Sequence, residues 1–379
     1  MEIFKLSNDI DFKKTLQTLG VDGGGVDILA SKMQHHLFYI KDLHVGAANI
    51  LKQDALSIGG DLAVPRGTVI AQHKSVDAIL IVTQQQLLEL SRKELAQPFG
   101  LKELAHQLKL FSKIAKPKKV EIMGIINAND DSFFQESRFC DTNAVTKIEQ
   151  MIQEGASIID IGGVSSRPGS YQVSADEELS RIKPIVDALY EQKIYEKTVL
   201  SIDSYEPSVI SYVLEHGFKI VNDITGLKND EVCKLCAEYN AKAVIMHMKG
   251  TPKDMQNDPS YENVLLHVED FFKERVAKAK GFGVKDIVLD VGIGFGKTLE
   301  HNLELIKNLE HFLSLGYPLL VGASRKSLID QITPSSVQQR IAGTLALHLK
   351  AADNGASILR VHDVYEHVQA LHVRDALLN

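Results

Sequence analysis

The sequence predicts an α/β protein, a (β/α)8 TIM barrel preceded by a smaller α/β N-terminal extension. Three observations lead there. From residue 120 onward, short β-rich runs alternate with longer helical patterns, and eight strand candidates can be counted. Eight βα units in about 250 residues is the arithmetic of a (β/α)8 barrel, because repeated parallel crossovers must be covered by a helical layer. Upstream, the stretch 110–119, LFSKIAKPKK, crowds four lysines and a proline into a boundary.

In chain order, the extension 1–115 holds helix-like pieces at 12–19, 27–33 and 84–109 and an apolar strand candidate at 78–82. Gly23 to Gly25 and the pair Gly59 and Gly60 read as turns, since neither has the spacing of a dinucleotide fingerprint. No role can be read for this extension. The barrel, 120–379, has strand candidates at 120–126, 157–161, 198–202, 219–221, 243–246, 287–289, 319–321 and 358–361. Between them, helical segments at 175–190, 261–280, 300–313 and 337–354 repeat apolar residues at spacings of three and four.

Composition narrows the function classes. Among 379 residues, 42 Lys and Arg face 49 Asp and Glu, a net charge of −7 that argues against wrapping nucleic acid by bulk charge. At 44% hydrophobic and 24% charged the chain can bury a sizeable core. No apolar stretch approaches the roughly 18 residues of a membrane span. Residues 1–9 include Glu2 and Asp9 and lack the pattern of a secretory signal. Cys140, Cys233 and Cys236 suit free thiols in a reducing cytoplasm. The expected partners are small molecules, with no nucleic acid and no membrane.

The informative feature is where the polar residues fall. Strand candidates end, in order, at Asn127, Asp160, Asp203, Asn222 with Asp223, His247, Asp290, Ser324 to Lys326, and Arg360 with His362. In a (β/α)8 barrel the C-terminal strand ends converge on one mouth, so these side chains are expected to face a common pocket. Helix capping accounts for single Asp, Asn or Ser residues, but Lys326, Arg360 and His362 are poor N-caps. Arg360 and His362 stand two apart, so they are expected to point the same way and to meet an anion such as a phosphate or diphosphate.

Two motifs fail on inspection. Residues 292–298, GIGFGKT, lack the first glycine of a P-loop, since Val291 stands there; a close turn after the sixth strand is expected instead. Cys233 and Cys236 have metal or redox spacing, but without a second pair they read as helix packing.

From residue 120 to the end, the motifs MGIIN (123–127), DIGGVSSRPGS (160–170), SIDSY (201–205), NDITG (222–226), MHMKGTP (246–252), GIGFGKT with Asn302, GASRKS (322–327) and RVHDV (360–364) resemble dihydropteroate synthases. That resemblance implies a transferase of folate biosynthesis with a (β/α)8 fold. It would condense 6-hydroxymethyl-7,8-dihydropterin diphosphate with 4-aminobenzoate to give 7,8-dihydropteroate and pyrophosphate. It assigns the pterin to Asp203, Asn222, Asp290 and Lys326, and the diphosphate to Asn127, Arg360 and His362, with Asn127 also meeting a Mg2+ ion. Ser166, Arg167, Pro168 and Ser324 would surround the aminobenzoate, and Met246, Phe295 and Gly322 would complete the substrate site. Asp203, Asp290, Lys326, Arg360 and His362 are the expected catalytic residues. Family members are commonly homodimers, and a homodimer is implied here.

The chain also departs from the family. Asn129 and Asp130 replace a usual Thr-Pro, and Val164, Ser166 and Val291 replace Glu, Thr and Pro. Two other readings stay open, a pterin-binding paralogue without catalysis and a methyltetrahydrofolate-dependent corrinoid methyltransferase domain.

Overall fold

The computed structural model describes residues 1–7, 10–128, 142–165, 173–255, 257 and 259–378. Two compact units divide the chain, one made of Met1–Ile114 with Asp375–Asn379 and the other of Ala115–Arg374.

The first unit is built on a three-stranded antiparallel sheet of β1 (His35–His44), β2 (Asp61–Ala63) and β3 (Ser75–Thr83), ordered β1-β3-β2. Its helices are α1 (Phe12–Thr18), α2 (Gly23–Met33), α3 (Val45–Ser57), α4 (Gln84–Lys93) and α5 (Leu101–Phe111). Alternate residues of β3, from Val76 to Val82, are buried with Leu51 of α3, Leu87 and Leu90 of α4 and Leu108 of α5. The sequence reading needs correction here in three places. Gly23 to Gly25 open a helix capped by the Asp22 carboxylate, which accepts from Gly24 N. The single piece expected at 84–109 is two helices. Pro98 and Gly100, the latter at φ +83°, break it, because proline donates no hydrogen bond and only glycine takes positive φ cheaply. Strands β1 and β2 and helix α3 were not foreseen.

The second unit is a closed barrel of eight parallel strands, β4 (Glu121–Asn127), β5 (Ile158–Gly162), β6 (Val199–Asp203), β7 (Ile220–Asp223), β8 (Lys242–Met246), β9 (Ile287–Asp290), β10 (Leu319–Val321) and β11 (Ile358–Val361). Strand β11 pairs back onto β4 and closes the ring. The helices between the strands are α6 (Thr142–Glu154), α7 (Ala175–Glu191), α8 (Pro207–Glu215), α9 (Asp230–Glu238), α10 (Val264–Gly281), α11 (Leu299–Lys307), α12 (Ser327–Ile332) and α13 (Ile341–Asp353), and α14 (Val364–Leu378) follows the last strand. Each strand differs from its expected span by at most two residues at either end.

Side chains alternate along a strand, and here the alternation sorts two cores. Met123, Ile158, Ile220, Val244, Val288, Leu320 and Ile358 form one cluster inside the ring. Neighbours such as Ile159, Leu200, Val221, Ile245, Leu289 and Leu359 face outward and pack with helical residues including Ile182, Val213, Phe272 and Phe312. Buried on both faces, these strands read in sequence as near-continuous apolar runs. Cys233 and Cys236 are buried and unpaired on α9, as the helix-packing reading requires.

Candidate active site

Two residues beyond the interior apolar ring, the inward positions change character. Ile158 gives way to Asp160, Ile220 to Asn222, Val288 to Asp290 and Ile358 to Arg360, while Ser201 and Asp203 occupy β6. The apolar plug therefore ends under a polar floor at the C-terminal mouth, where barrels carry their chemistry.

Arg360 is the hub of that floor. Its Nε donates to Asp160 Oδ2 at 2.6 Å and its Nη2 to Asp203 Oδ2 at 2.7 Å. Asp160, fully buried, also accepts from the Ser201 hydroxyl and from Asn222 Nδ2 at 3.0 Å. Burial opposes the Arg360 charge, but the two carboxylates more than restore it, so the guanidinium is held firmly protonated. Burial pushes the Asp203 carboxyl up to about 6 although Arg360 pulls the other way. Asp290 is pushed to about 6 by burial too, against the hydrogen bond its Oδ1 accepts from Gly292 N at 2.8 Å.

The remaining expected residues surround this hub. Met246 ends β8 and packs with Phe295, Ile224 and Met255 in a small apolar cluster. Lys326 Nζ lies 4.2 Å from the Phe295 ring centre, a cation over an aromatic face. Gly322 follows β10, with the Arg360 Cβ 3.8 Å from where its own Cβ would stand. Asn127 ends β4, half-buried, its backbone in register with Gly162. Beside Asp203 a cavity of about 730 Å³ opens, lined among others by Glu178, Tyr205, Met248, Phe271 and Arg275. Burial raises the Glu178 carboxyl to about 7.

β11 ends at Val361, and the two residues at its end are held by different partners. Arg360 turns to the two carboxylates, while His362 Nδ1 meets Ser324 Oγ at 2.9 Å and its backbone N–H donates to the same oxygen at 3.3 Å. Ser166, Arg167 and Pro168 lie outside the described residues.

Two residues carry more than the sequence reading gave them. Asp160 appeared there only as a strand end, yet it organises Arg360, Asn222 and Ser201; its signal was its place two residues after an inward Ile158. Lys297, set aside with the failed P-loop, is buried with its Nζ turned into its own loop.

Residues 123–362 match the family of pterin binding enzymes. A bifunctional dihydropteroate synthase/dihydropteroate reductase of Helicobacter pylori is 42% identical over 375 residues, covering 99% of both chains. The chain belongs to the dihydropteroate synthase family. It is thus a transferase of folate biosynthesis, and neither a corrinoid methyltransferase nor a paralogue without catalysis is what its relatives are named. Among solved structures, Yersinia pestis dihydropteroate synthase with a sulfonamide drug is 36% identical and covers 68% of this chain and 94% of its own, with a TM-score of 0.65. The Thermus thermophilus synthase in complex with 4-aminobenzoate is 35% identical, covers 68% and 95%, and has a TM-score of 0.62. Both matches span about the length of the barrel. The H. pylori relative extends over the N-terminal unit as well.

Proposed function

We propose that the barrel mouth joins 6-hydroxymethyl-7,8-dihydropterin diphosphate to 4-aminobenzoate, releasing pyrophosphate. The observation that carries this reading is the polar floor itself, in which Asp160, Asp203, Asn222 and Asp290 stand beside Arg360 and Lys326. A dihydropterin presents adjacent N–H donors and a carbonyl; Asp203, Asp290 and Asn222 suit the donors and Lys326 suits the oxygen. Phe295 and Met246 offer apolar surface to the ring faces. Asn127, His362 and Arg360 would receive the diphosphate.

The bond between the pterin methylene and the diphosphate oxygen breaks with its electron pair leaving on pyrophosphate. Asp203 and Asp290 stabilise the positive charge that spreads into the ring, and Arg360 and His362 stabilise the departing anion. The arylamine is neutral near pH 7, so its lone pair attacks the methylene directly and the proton is lost afterwards. Ser324, with Ser166, Arg167 and Pro168, would surround the aminobenzoate.

Mg2+ fits this mouth as an ion brought by the diphosphate. Among the described residues no group of three or more His, Cys, Asp or Glu side chains could hold a metal, whereas the Asn127 amide offers a single oxygen, enough for an ion that keeps most of its waters. Bound there, it would neutralise charge on the pyrophosphate.

The full-length match to a relative named as bifunctional supports a second reaction, reduction of dihydropteroate to tetrahydropteroate. That step adds a hydride and a proton, so it needs a donor such as NADPH or a reduced flavin. The reading also carries a homodimer and a cytoplasmic location, testable by sedimentation and by fractionation.

The deciding assay follows dihydropteroate by chromatography from purified full-length chain with both substrates, with Mg2+ and then with EDTA. Magnesium-dependent product is expected. A chain that makes none with its substrates and Mg2+ present refutes the proposal. Adding NADPH or reduced flavin to the product tests the second reaction.

A further inference from the structure

The loop between β9 and α11 is costly to order. Gly292, Gly294 and Gly296 all have positive φ, so three of its residues have the freest unfolded backbones. Little of its order can come from side-chain packing at those positions. Its polar groups instead converge on one buried atom. Lys297 Nζ lies 3.0 Å from Gly292 O, 3.0 Å from Phe295 O, 3.2 Å from His247 O and 2.9 Å from His247 Nδ1. The side chain is 3% exposed and, among the described residues, makes no ion pair within 4.0 Å. Burial pulls the Lys297 ammonium down to about 7 although Asp290 pulls the other way, and its N–H donors are taken up by three main-chain carbonyls and a ring nitrogen rather than by a salt bridge. Burial and the Lys297 charge hold His247 neutral, down to about 2, which leaves its Nδ1 free to accept.

Two further bonds fix the same loop from outside. Asn302 Oδ1 accepts from Gly294 N at 2.7 Å, and the Tyr261 hydroxyl donates to Gly296 O at 2.7 Å. What the loop presents to the mouth is specific. Gly292 N holds the Asp290 carboxylate, Phe295 lies under Lys326 Nζ, and Gly294 runs so close to Lys326 that an added Cβ would meet its Cδ at 3.4 Å.

We propose that Lys297 is a positioning residue of the transferase site, a buried amine whose N–H donors hold residues 291–296 so that Asp290, Phe295 and Lys326 meet the pterin together. The proposal rests on the pterin reading of the mouth. Lys297 touches no substrate and acts through its loop.

The test uses full-length Lys297→Ala and Lys297→Met. Truncation to alanine deletes the atoms of n-propylammonium, so that amine can refill the cage; methionine keeps most of the stem without the N–H donors. Both variants are expected to raise the KM for pterin diphosphate and lower kcat, together costing roughly tenfold or more in kcat/KM, with the 4-aminobenzoate KM changed less. Added n-propylammonium should restore part of the lost kcat/KM in Lys297→Ala but not in Lys297→Met. Tetramethylammonium, which has no N–H donor, should restore none. The thermal transition of Lys297→Ala should also rise with n-propylammonium, because a ligand that binds only the folded state stabilises it; this reading holds even for a variant too inactive to assay. Parental kcat/KM in Lys297→Met would overturn the proposal, as would a Lys297→Ala whose rate and transition both ignore the amine. A parent chain that makes no dihydropteroate would instead indict the reading of the mouth, and the amine-dependent transition would still judge the cage.

Discussion

Asp290→Asn should make the unliganded protein more stable while disabling it. Burial lifts this carboxyl from 3.8 to about 6, which corresponds to roughly 3 kcal/mol of folding free energy spent at neutral pH on keeping it ionised. Asparagine has nearly the same shape, and its Oδ1 can still accept the 2.8 Å bond from Gly292 N. That value is already net of the attraction of Lys326 and Lys297, but asparagine brings an Nδ2 group that needs partners of its own, so a net stabilisation of about 1–2 kcal/mol is expected. Its pH dependence follows from the raised native value. Below the unfolded value of 3.8 the carboxyl is neutral in both states and the variant gains nothing. The gain grows as pH rises and is complete above about 6. Urea denaturation of parent and variant followed by circular dichroism, at pH 4 and pH 8 (roughly the two limits), reads the difference directly. Turnover should fall by about a hundredfold or more, since the carboxylate would be missing where the pterin cation develops. A variant less stable than the parent at the higher pH, or a gain equal at both, would refute the reasoning.

Arg360→Met should destabilise the barrel by about 3–5 kcal/mol, because it strands Asp160 and Asp203 without their shared counter-charge. That loss should shrink on acidification as Asp203 protonates, and denaturation at two pH values checks it. Lys326→Ala should lose nearly all turnover while its thermal transition stays within a few degrees of the parent, since Lys326 is half-buried at the mouth and rests on Phe295. Cys233 and Cys236 should resist thiol reagents in the native state and react on unfolding; both are buried, and burial pushes the Cys236 thiol up to about 12. Time-resolved thiol titration with and without denaturant measures this.

Most of the barrel was legible because parallel strands covered on both faces leave apolar runs, and the runs at 319–321 and 358–361 coincide with β10 and β11. The first unit hid its strands for the opposite reason. In β1, Phe38 and Ile40 pack against the core while Leu37 and Tyr39 stay 71% and 64% exposed, so apolar residues fill both faces and no alternation appears. In the mouth, strand ends pointed to Asp203, Asn222, Asp290 and Arg360 because the convergence of eight ends is a property of the fold. Which of them pair is decided by reach across the barrel: Arg360 and Asp160 are 200 residues apart, and no local spacing announces their bond. Lys297 was obscured differently. Its motif invited comparison with a phosphate loop, and only the fold shows that its ammonium turns inward.

The glycine loop has a consequence for inhibitors. A side chain at Gly292 would begin 2.0 Å from the His247 carbonyl oxygen, and one at Gly296 would begin 2.3 Å from that of Lys249. Both obstacles are main chain and cannot step aside. A compound that gained its affinity from the peptide groups of this loop would therefore press on a surface that single replacements at these glycines cannot reshape without breaking the enzyme, so resistance would have to arise elsewhere.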